Sequence, residues 1–176
     1  TEYKTVNVNF GEKIELIAAP IKNGFTFSGW SEAPETMPAK DIVINGSFGV
    51  NSYKVTYMVD GKEYQSVSLA YGSAITLIDA PTKEGYTFSG WSEAAETMPA
   101  KDITISGTFA VNSYKIVYTV DGVTYDSMTV TFGAEIKLIE APTKEGHTFS
   151  GWSEAPETMP AKDITISGTF AVNYYT

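Results

Sequence analysis

The chain has 176 residues, a formal net charge of −9, no cysteine and one histidine, so it can be held neither by disulfides nor by a zinc site of ordinary composition. Its 12 Lys and Arg stand against 21 Asp and Glu, with no basic run, which excludes a nucleic-acid partner whose phosphates need clustered cations. No apolar stretch reaches the ~18 residues of a membrane-spanning helix and no basic-then-apolar leader opens the chain, so no membrane insertion is expected.

Three Gly-Trp pairs, Gly29-Trp30, Gly90-Trp91 and Gly151-Trp152, recur 61 residues apart, and a period of that kind marks a tandem array. Aligned on them, the chain divides into repeat 1 (1–51), repeat 2 (52–112), repeat 3 (113–173) and the start of a further unit (174–176). Residues 1–10 align with 62–71, so the segment matching Ser52–Gly61 has no counterpart ahead of Thr1. The pattern reads as a window on a longer array. A module of this size buries only about 60% of its unfolded surface and leans on its neighbours. The 3 Trp, 11 Tyr and 9 Phe must supply most of the packing.

Repeat 1 shows the scheme in shortened form: the apolar set Val6, Val8 and Phe10, the turn Lys22-Asn23-Gly24, the aromatic run Phe25–Trp30 and the closing stretch Ile42–Phe48. Its Tyr3–Phe10 strand is left with one side unpaired, an open edge that invites self-association. Repeats 2 and 3 open with Tyr53–Val59 and Tyr114–Val120, where Tyr, Val or Ile, Tyr and Val fall at every second position, the mark of a strand with one buried face. Asp60-Gly61 and Asp121-Gly122 follow, and Asp-Gly between two alternating runs predicts a type I′ hairpin. In the returning strand Tyr64 and Tyr125 are out of phase with Val67, Leu69 and Tyr71 or with Met128, Val130 and Phe132. That parity break predicts either a β-bulge near Gln65-Ser66 or tyrosines that face outward.

A short apolar segment, Ile75–Ile78 or Ile136–Ile139, is stopped by Ala-Pro, and Thr82–Gly85 is a turn with Gly85 at a positive φ. In Tyr86–Trp91, strict alternation puts Trp91 on the face opposite Tyr86 and Phe88. Either a bulge at Ser89-Gly90 turns the indole inward, or the ring packs on the second face. Ser92–Met98 has room for at most one helical turn. Pro99–Asp102 reads as a type I turn delivering the last strand, Ile103–Phe109. Gly107 on its inward side leaves space for a ring, which we assign to Trp91. Ala110-Val111-Asn112 is too short for a flexible linker, so adjacent repeats should touch.

The run Ala80–Trp91 with its Gly-Tyr-Thr-Phe-Ser-Gly-Trp core, followed by Met98-Pro-Ala-Lys-Asp-Ile-Thr-Ile105 and then by Tyr114-Lys115 and Val120-Asp-Gly122, resembles the Listeria–Bacteroides repeats, also called internalin B-type repeats. The likeness covers essentially the whole chain, three times over. It implies a mainly β chain: a tandem array of small β-grasp-like modules with antiparallel and mixed sheets, carried by exported bacterial cell-surface proteins. Longer members of that family have more residues between the Trp and the Met-Pro, so little or no helix is expected here.

As for sites, Trp30, Trp91 and Trp152 could stack on sugars, as exposed aromatic platforms do; the alternative is that they are packing residues. Phe27, Phe88 and Phe149, with Gly46, Gly107 and Gly168, are assigned to the structural core. His147 takes the place of Phe25 and Tyr86, a packing position and not that of a catalytic base. Glu93, Glu96 and Asp102 lack the loop pattern of a calcium site, and no cofactor is expected. Asn45-Gly46-Ser47 matches the N-glycosylation acceptor, although the other copies read Ser at the Asn position. Asp126-Ser127-Met128 resembles the short O-glycosylation signal of exported Bacteroidetes proteins, with Ser127 as acceptor. Nothing pairs a nucleophile with a base, so the chain is not expected to be an enzyme. The expected role is a spacer or stalk, a rod of three modules on an extracellular bacterial surface. The rival is an adhesin binding host protein or glycan, and the neighbouring repeats are partners in either case.

Overall fold

The computed structural model describes residues 2–176. Repeat 1 holds β1 (Phe25–Trp30) and β2 (Gly46–Val50). Repeat 2 holds β3 (Ser52–Val59), β4 (Lys62–Ala70), β5 (Tyr86–Phe88), β6 (Ile103–Gly107) and β7 (Phe109–Val111). Repeat 3 follows the same order with β8 (Ser113–Val120), β9 (Val123–Thr131), β10 (His147–Phe149), β11 (Ile164–Gly168) and β12 (Phe170–Val172). The fold is mainly β, and among the described residues no helix is long and apolar enough to cross a membrane. The helical turn allowed at Ser92–Met98 does not form: the chain bends at Glu96 and bridges at Thr97.

The chain divides into two compact units, Thr1–Met58 with Lys62–Leu77 and Ser92–Ile105, and Val59–Gly61 with Ile78–Trp91 and Ser106–Thr176. Repeat 3 lies entirely within the second unit and shows the module whole. Its β8 is central, antiparallel to β9 and parallel to β11. After a one-residue break at Thr169 the same chain continues as β12, which pairs antiparallel with β10. Counting β11 and β12 as one interrupted strand, the order is second, first, last, third, which is a β-grasp sheet without the helix. The order β4-β3-β6 and the pairing of β5 with β7 repeat this in the middle of the chain.

The hairpin turns are as the Asp-Gly pairs require. Asp60 and Gly61 have φ of 49° and 76°, Asp121 and Gly122 50° and 80°, the left-handed pair of a type I′ turn. The parity break is a bulge: Tyr118 faces Asp126 and Thr119 faces Thr124, so Tyr125 has no opposite number and its ring is 53% exposed. Both readings of the out-of-phase tyrosine therefore hold at once. In repeat 1 residues 2–9 form no strand.

Each core is a four-residue cluster on the inner face of the central strand. In the first unit Val55, Tyr57, Met98 and Ile105 are at most 1% exposed; in the second, Ile116, Tyr118, Met159 and Ile166 are equally buried. Met98 and Met159 arrive from the Met-Pro segment, where Gly72 N–H donates to the Met98 carbonyl and Met98 N–H to the Ser73 carbonyl (2.9 and 2.8 Å), with the same pattern at Gly133, Met159 and Ala134. Among the described residues, the fully buried side chains all belong to repeats 2 and 3.

The space beside Gly107 is filled by Phe88, not by Trp91: a Cβ there would overlap the Phe88 ring and press on the Gly90 carbonyl. Phe149 covers Gly168 and Phe27 covers Gly46 in the same way. Gly107 and Gly168 are buried, whereas Gly46 is exposed. The three phenyl rings are half-buried. Replacing Gly107 by Val is expected to cost about 2–3 kcal/mol through overpacking, and Gly46→Val less, since the Phe27 ring has solvent to move into. Thermal melts of the two variants against the parent check this.

Burial raises the pKa of the Tyr118 phenol, reinforced by the Asp126 charge and opposed by a backbone hydrogen bond. The folded state then holds its proton more tightly than the unfolded chain. This contribution is complete below the ordinary tyrosine pKa of about 10 and is lost as pH rises through the folded-state value. Denaturant titrations above pH ~10 are expected to show a steeper loss of stability in the parent than in Tyr118→Phe.

Candidate functional site

The tryptophans are tied into the modules. Gly29, Gly90 and Gly151 have φ of 100°, 91° and 91°, which carries the next side chain off the strict alternation of the strand. In repeat 1 the ladder slips by one residue between Phe27 and Trp30. The bulge therefore turns each indole inward, against the adjacent phenyl ring at 4.9 Å in all three repeats. Each indole N–H donates to a backbone carbonyl 13 residues earlier: Trp30 to Ile17 (2.9 Å), Trp91 to Ile78 (2.9 Å) and Trp152 to Ile139 (3.0 Å). These bonds fix the apolar segment that sequence alone offered as a third short stretch, and which forms only isolated bridges such as Glu135 to Thr158. All three indoles are half-buried. A ring whose polar edge is consumed in this way presents at most one flank to a ligand.

The more exposed aromatic is the out-of-phase tyrosine. Tyr3 and Tyr125 are 64% and 53% exposed, and each lies 6.2 Å from the indole of its own repeat, Trp30 and Trp152. In repeat 1 the indole borders a shallow groove of about 650 Å³ lined by Lys13, Leu16, Glu32 and Pro34 among others. In repeat 3 it is the bulge at Tyr125 that sets the exposed tyrosine beside the indole.

A second recurring constellation joins one repeat to the next. Within the second unit, Asn112 N–H donates to the Gly85 carbonyl (2.8 Å), Thr87 Oγ1 to Asn112 Oδ1 (2.7 Å), and Phe132 N–H to the Asn112 carbonyl (2.9 Å). The Phe132 ring then lies directly on Gly85, where a Cβ would overlap it, and edge-on to Tyr86 at 5.9 Å. The first unit repeats every contact: Asn51 N–H to Gly24 (2.9 Å), Thr26 to Asn51 (2.6 Å), Tyr71 N–H to Asn51 (2.8 Å), and the Tyr71 ring on Gly24 and edge-on to Phe25 at 5.7 Å. Lys22 and Lys83 cap the socket rings, with Nζ 3.9 and 3.7 Å from the centroids of Phe25 and Tyr86, a cation–π contact. Both glycines are buried at positive φ (78° and 75°), so two independent constraints call for glycine there.

Four aspartates have structural partners, whereas Glu93 and Glu96 are exposed. Asp102 Oδ1 accepts the Lys54 N–H (2.7 Å) and Asp163 Oδ1 that of Lys115 (2.8 Å), each anchoring the start of a central strand. The turn residues Asp60 and Asp121 do a second job, accepting the N–H of Phe109 (2.9 Å) and Phe170 (3.0 Å) at the break in the last strand. Among the described residues no group of acidic, His or Cys side chains is arranged to hold a metal ion. His147 occupies the socket position in repeat 3, edge-on to Phe170 at 6.1 Å, with Nδ1 2.8 Å from the Glu145 carbonyl. Ser127 is exposed on β9 just after the bulge, opposite Val117, and its N–H donates to Asp126 Oδ1 (2.7 Å). Asn45 is exposed beside Ser31, whose Oγ accepts its N–H (3.1 Å).

Internalin H of Listeria monocytogenes is 36% identical over 142 residues, covering 69% of this chain and 26% of its own length. The chain spans between 24% and 30% of the length of the curated relatives it matches. Among solved structures it is similar to streptococcal high identity repeats in tandem (SHIRT), domains 3-4 of a cell surface protein, at 20% identity, over 67% of this chain and 96% of that one, with a TM-score of 0.30. It is also similar to the type 2 repeat of the mucus binding protein MUB from Lactobacillus reuteri, at 11% identity, over 70% and 100%, with a TM-score of 0.22. Residues 1–46, 53–110 and 114–171 each match the Listeria-Bacteroides repeat domain, and the chain belongs to that family.

Proposed function

We propose that the chain is a non-enzymatic spacer, a run of modules that sets distance and stiffness in an exported bacterial cell-surface protein. The observation that carries this reading is the identity of the two junctions: the same three backbone and side-chain hydrogen bonds and the same ring on the same positive-φ glycine. A junction that repeats to within a few tenths of an ångström restrains the angle between neighbours, and a chain whose units touch only neighbours has length and stiffness as its properties. Small-angle scattering tests the reading. A globule of this length has a radius of gyration of about 16 Å; a spacer gives a clearly larger value, and a profile fitted by one compact globule would refute it.

The same sockets supply an internal control. Gly85→Ala incurs both the positive-φ strain and a clash with the Phe132 ring, whereas Gly146→Ala, with nothing within 4 Å of the added Cβ, incurs the strain alone. The first substitution is expected to destabilise by about 1–2 kcal/mol more than the second, as read by denaturant titration, and only the first should broaden the scattering-derived dimensions.

A second reading, an adhesin for host glycan or protein, is favoured by the exposed tyrosines beside the indoles. Aromatic faces repeated along a chain bind weakly singly and strongly together. Acrylamide quenching separates the two. Spacer tryptophans, half-buried and hydrogen-bonded, are quenched well below free tryptophan, whereas quenching close to that of the free amino acid would favour the adhesin.

A further inference from the structure

In both complete repeats the returning strand of the hairpin is an outer strand, the sheet orders being β4-β3-β6 and β11-β8-β9. An outer strand carries a row of backbone groups with no ladder partner, a template for a further strand that proteins blunt with charge, proline or a bulge. β4 belongs to repeat 2, which has a repeat on either side, and it is exposed along most of its length, as is β9. The open edge is therefore a property of the repeat and not of its place in the array.

The β9 edge is guarded over one half only. Phe132 N–H donates to the Asn112 carbonyl (2.9 Å), and bonded and non-bonded pairs alternate along an antiparallel ladder. In the register of β8 with β9, Val130 with Tyr114 and Met128 with Ile116 are then the bonded pairs, while Ser127, Thr129 and Thr131 turn their backbone groups away from β8. Toward the hairpin the bulge at Tyr125 interrupts the edge, and the Asp126 carboxylate accepts the outward Ser127 N–H (2.7 Å). At the other end the Thr131 carbonyl accepts the Ala134 N–H (3.0 Å). Among the described residues, the Ser127 carbonyl, both groups of Thr129 and the Thr131 N–H remain outward. Residues 127–132 include no proline, glycine or charge to guard them.

These four groups are complementary to themselves. With a second β9 laid antiparallel so that Thr129 faces Thr129, the two threonines exchange both their bonds and each Thr131 N–H meets the Ser127 carbonyl of the other copy. The two groups left out, Ser127 N–H and Thr131 C=O, are the two already satisfied. The side chains agree. Met128, 39% exposed, comes beside Val130 of the other copy on the face that carries Ile116, with Thr129 beside Thr129 and Ser127 beside Thr131, pairs of the kind that stabilise a sheet. Asp126, the nearest charge, falls opposite Phe132 and not opposite itself. At the matching positions of β4, Ser68 and Ala70 replace Thr129 and Thr131, giving up two β-branched residues that favour a strand.

We propose that two copies of the chain associate side by side through β9, antiparallel about a two-fold axis at Thr129, so that the β11-β8-β9 sheet of one continues into that of the other. The contact is isologous and closes at two copies. Each copy carries a net charge of −9, so repulsion opposes the pairing and salt strengthens it. It holds whether the array serves as spacer or adhesin.

Sedimentation equilibrium of the intact chain tests this. The parent's weight-average mass should rise with concentration from that of the monomer toward that of a dimer and no further, more so at high salt. Thr129→Pro removes an outward donor and leaves the β8 ladder intact, an edge position where proline is tolerated, and should stay monomeric with the parent's circular dichroism. A second pair of variants carries the test if the proline variant fails to fold. Ser127→Lys with Thr131→Lys, and Ser127→Glu with Thr131→Glu, each set like charges opposite one another across the axis and should be monomeric, whereas their equimolar mixture should recover the dimer. A parent that stays monomeric at the highest attainable concentration in high salt overturns the proposal. So does a folded Thr129→Pro that associates as the parent does, which would place the contact on another surface such as β4, and so does a mixture no more associated than either charged variant alone.

Discussion

An aromatic ring laid on a glycine is the contact on which this chain depends. It occurs twice per period: Phe88 on Gly107 and Phe149 on Gly168 inside the modules, and Tyr71 on Gly24 and Phe132 on Gly85 between them. A glycine lets a ring approach the backbone itself, so a large apolar surface is covered without a matching side chain. That economy suits a module with no cysteine and a fully buried cluster of only four side chains per complete repeat. The ring-on-glycine contacts extend this small core toward the strand ends and across to the next repeat.

Around these contacts, side-chain hydrogen bonds take over where regular ladders stop. The indole N–H bonds hold an irregular segment that pairs with nothing except at single bridges. The Asp60 and Asp121 carboxylates accept the amides left over where the last strand breaks before Phe109 and Phe170. Among the described residues no buried side-chain nitrogen or oxygen lacks a partner, as a folded interior requires. The aromatic and acidic residues that invite functional readings are thus largely occupied in making the fold. The Tyr-Trp flank is left exposed.

Much of this was legible in the sequence because it rests on local rules. The repeat, the Asp-Gly hairpins, the bulge beside the out-of-phase tyrosine and the positive φ of Gly85 all follow from spacing or from one residue's conformational range. The ring over Gly107 was assigned to the wrong residue for a tertiary reason. Once Gly90 takes a φ of 91° the indole leaves the strand alternation, and Phe88, opposite Phe109 in the β5–β7 pairing, is the ring that reaches across to Gly107. That adjacent repeats touch was legible in the short Ala110–Asn112 link, but the residues that make the contact were not. Gly24 and Gly85 read as turn glycines, which they are, and only the folded chain shows that a ring from the following repeat also rests on them. The available signal was an aromatic at 10, 71 and 132 in every copy, which the sequence reading placed in the apolar set of the returning strand.

The central claim is that consecutive repeats are locked by the ring-on-glycine junction. Proton NMR of the chain in dilute solution tests it most directly, because a glycine Hα beneath an aromatic face is shifted upfield by the ring current. The account predicts upfield-shifted Gly24 and Gly85 Hα resonances with nuclear Overhauser contacts to the Tyr71 and Phe132 rings, and an unshifted Gly146. Equal shifts at all three glycines, with no contact to either ring, would contradict it.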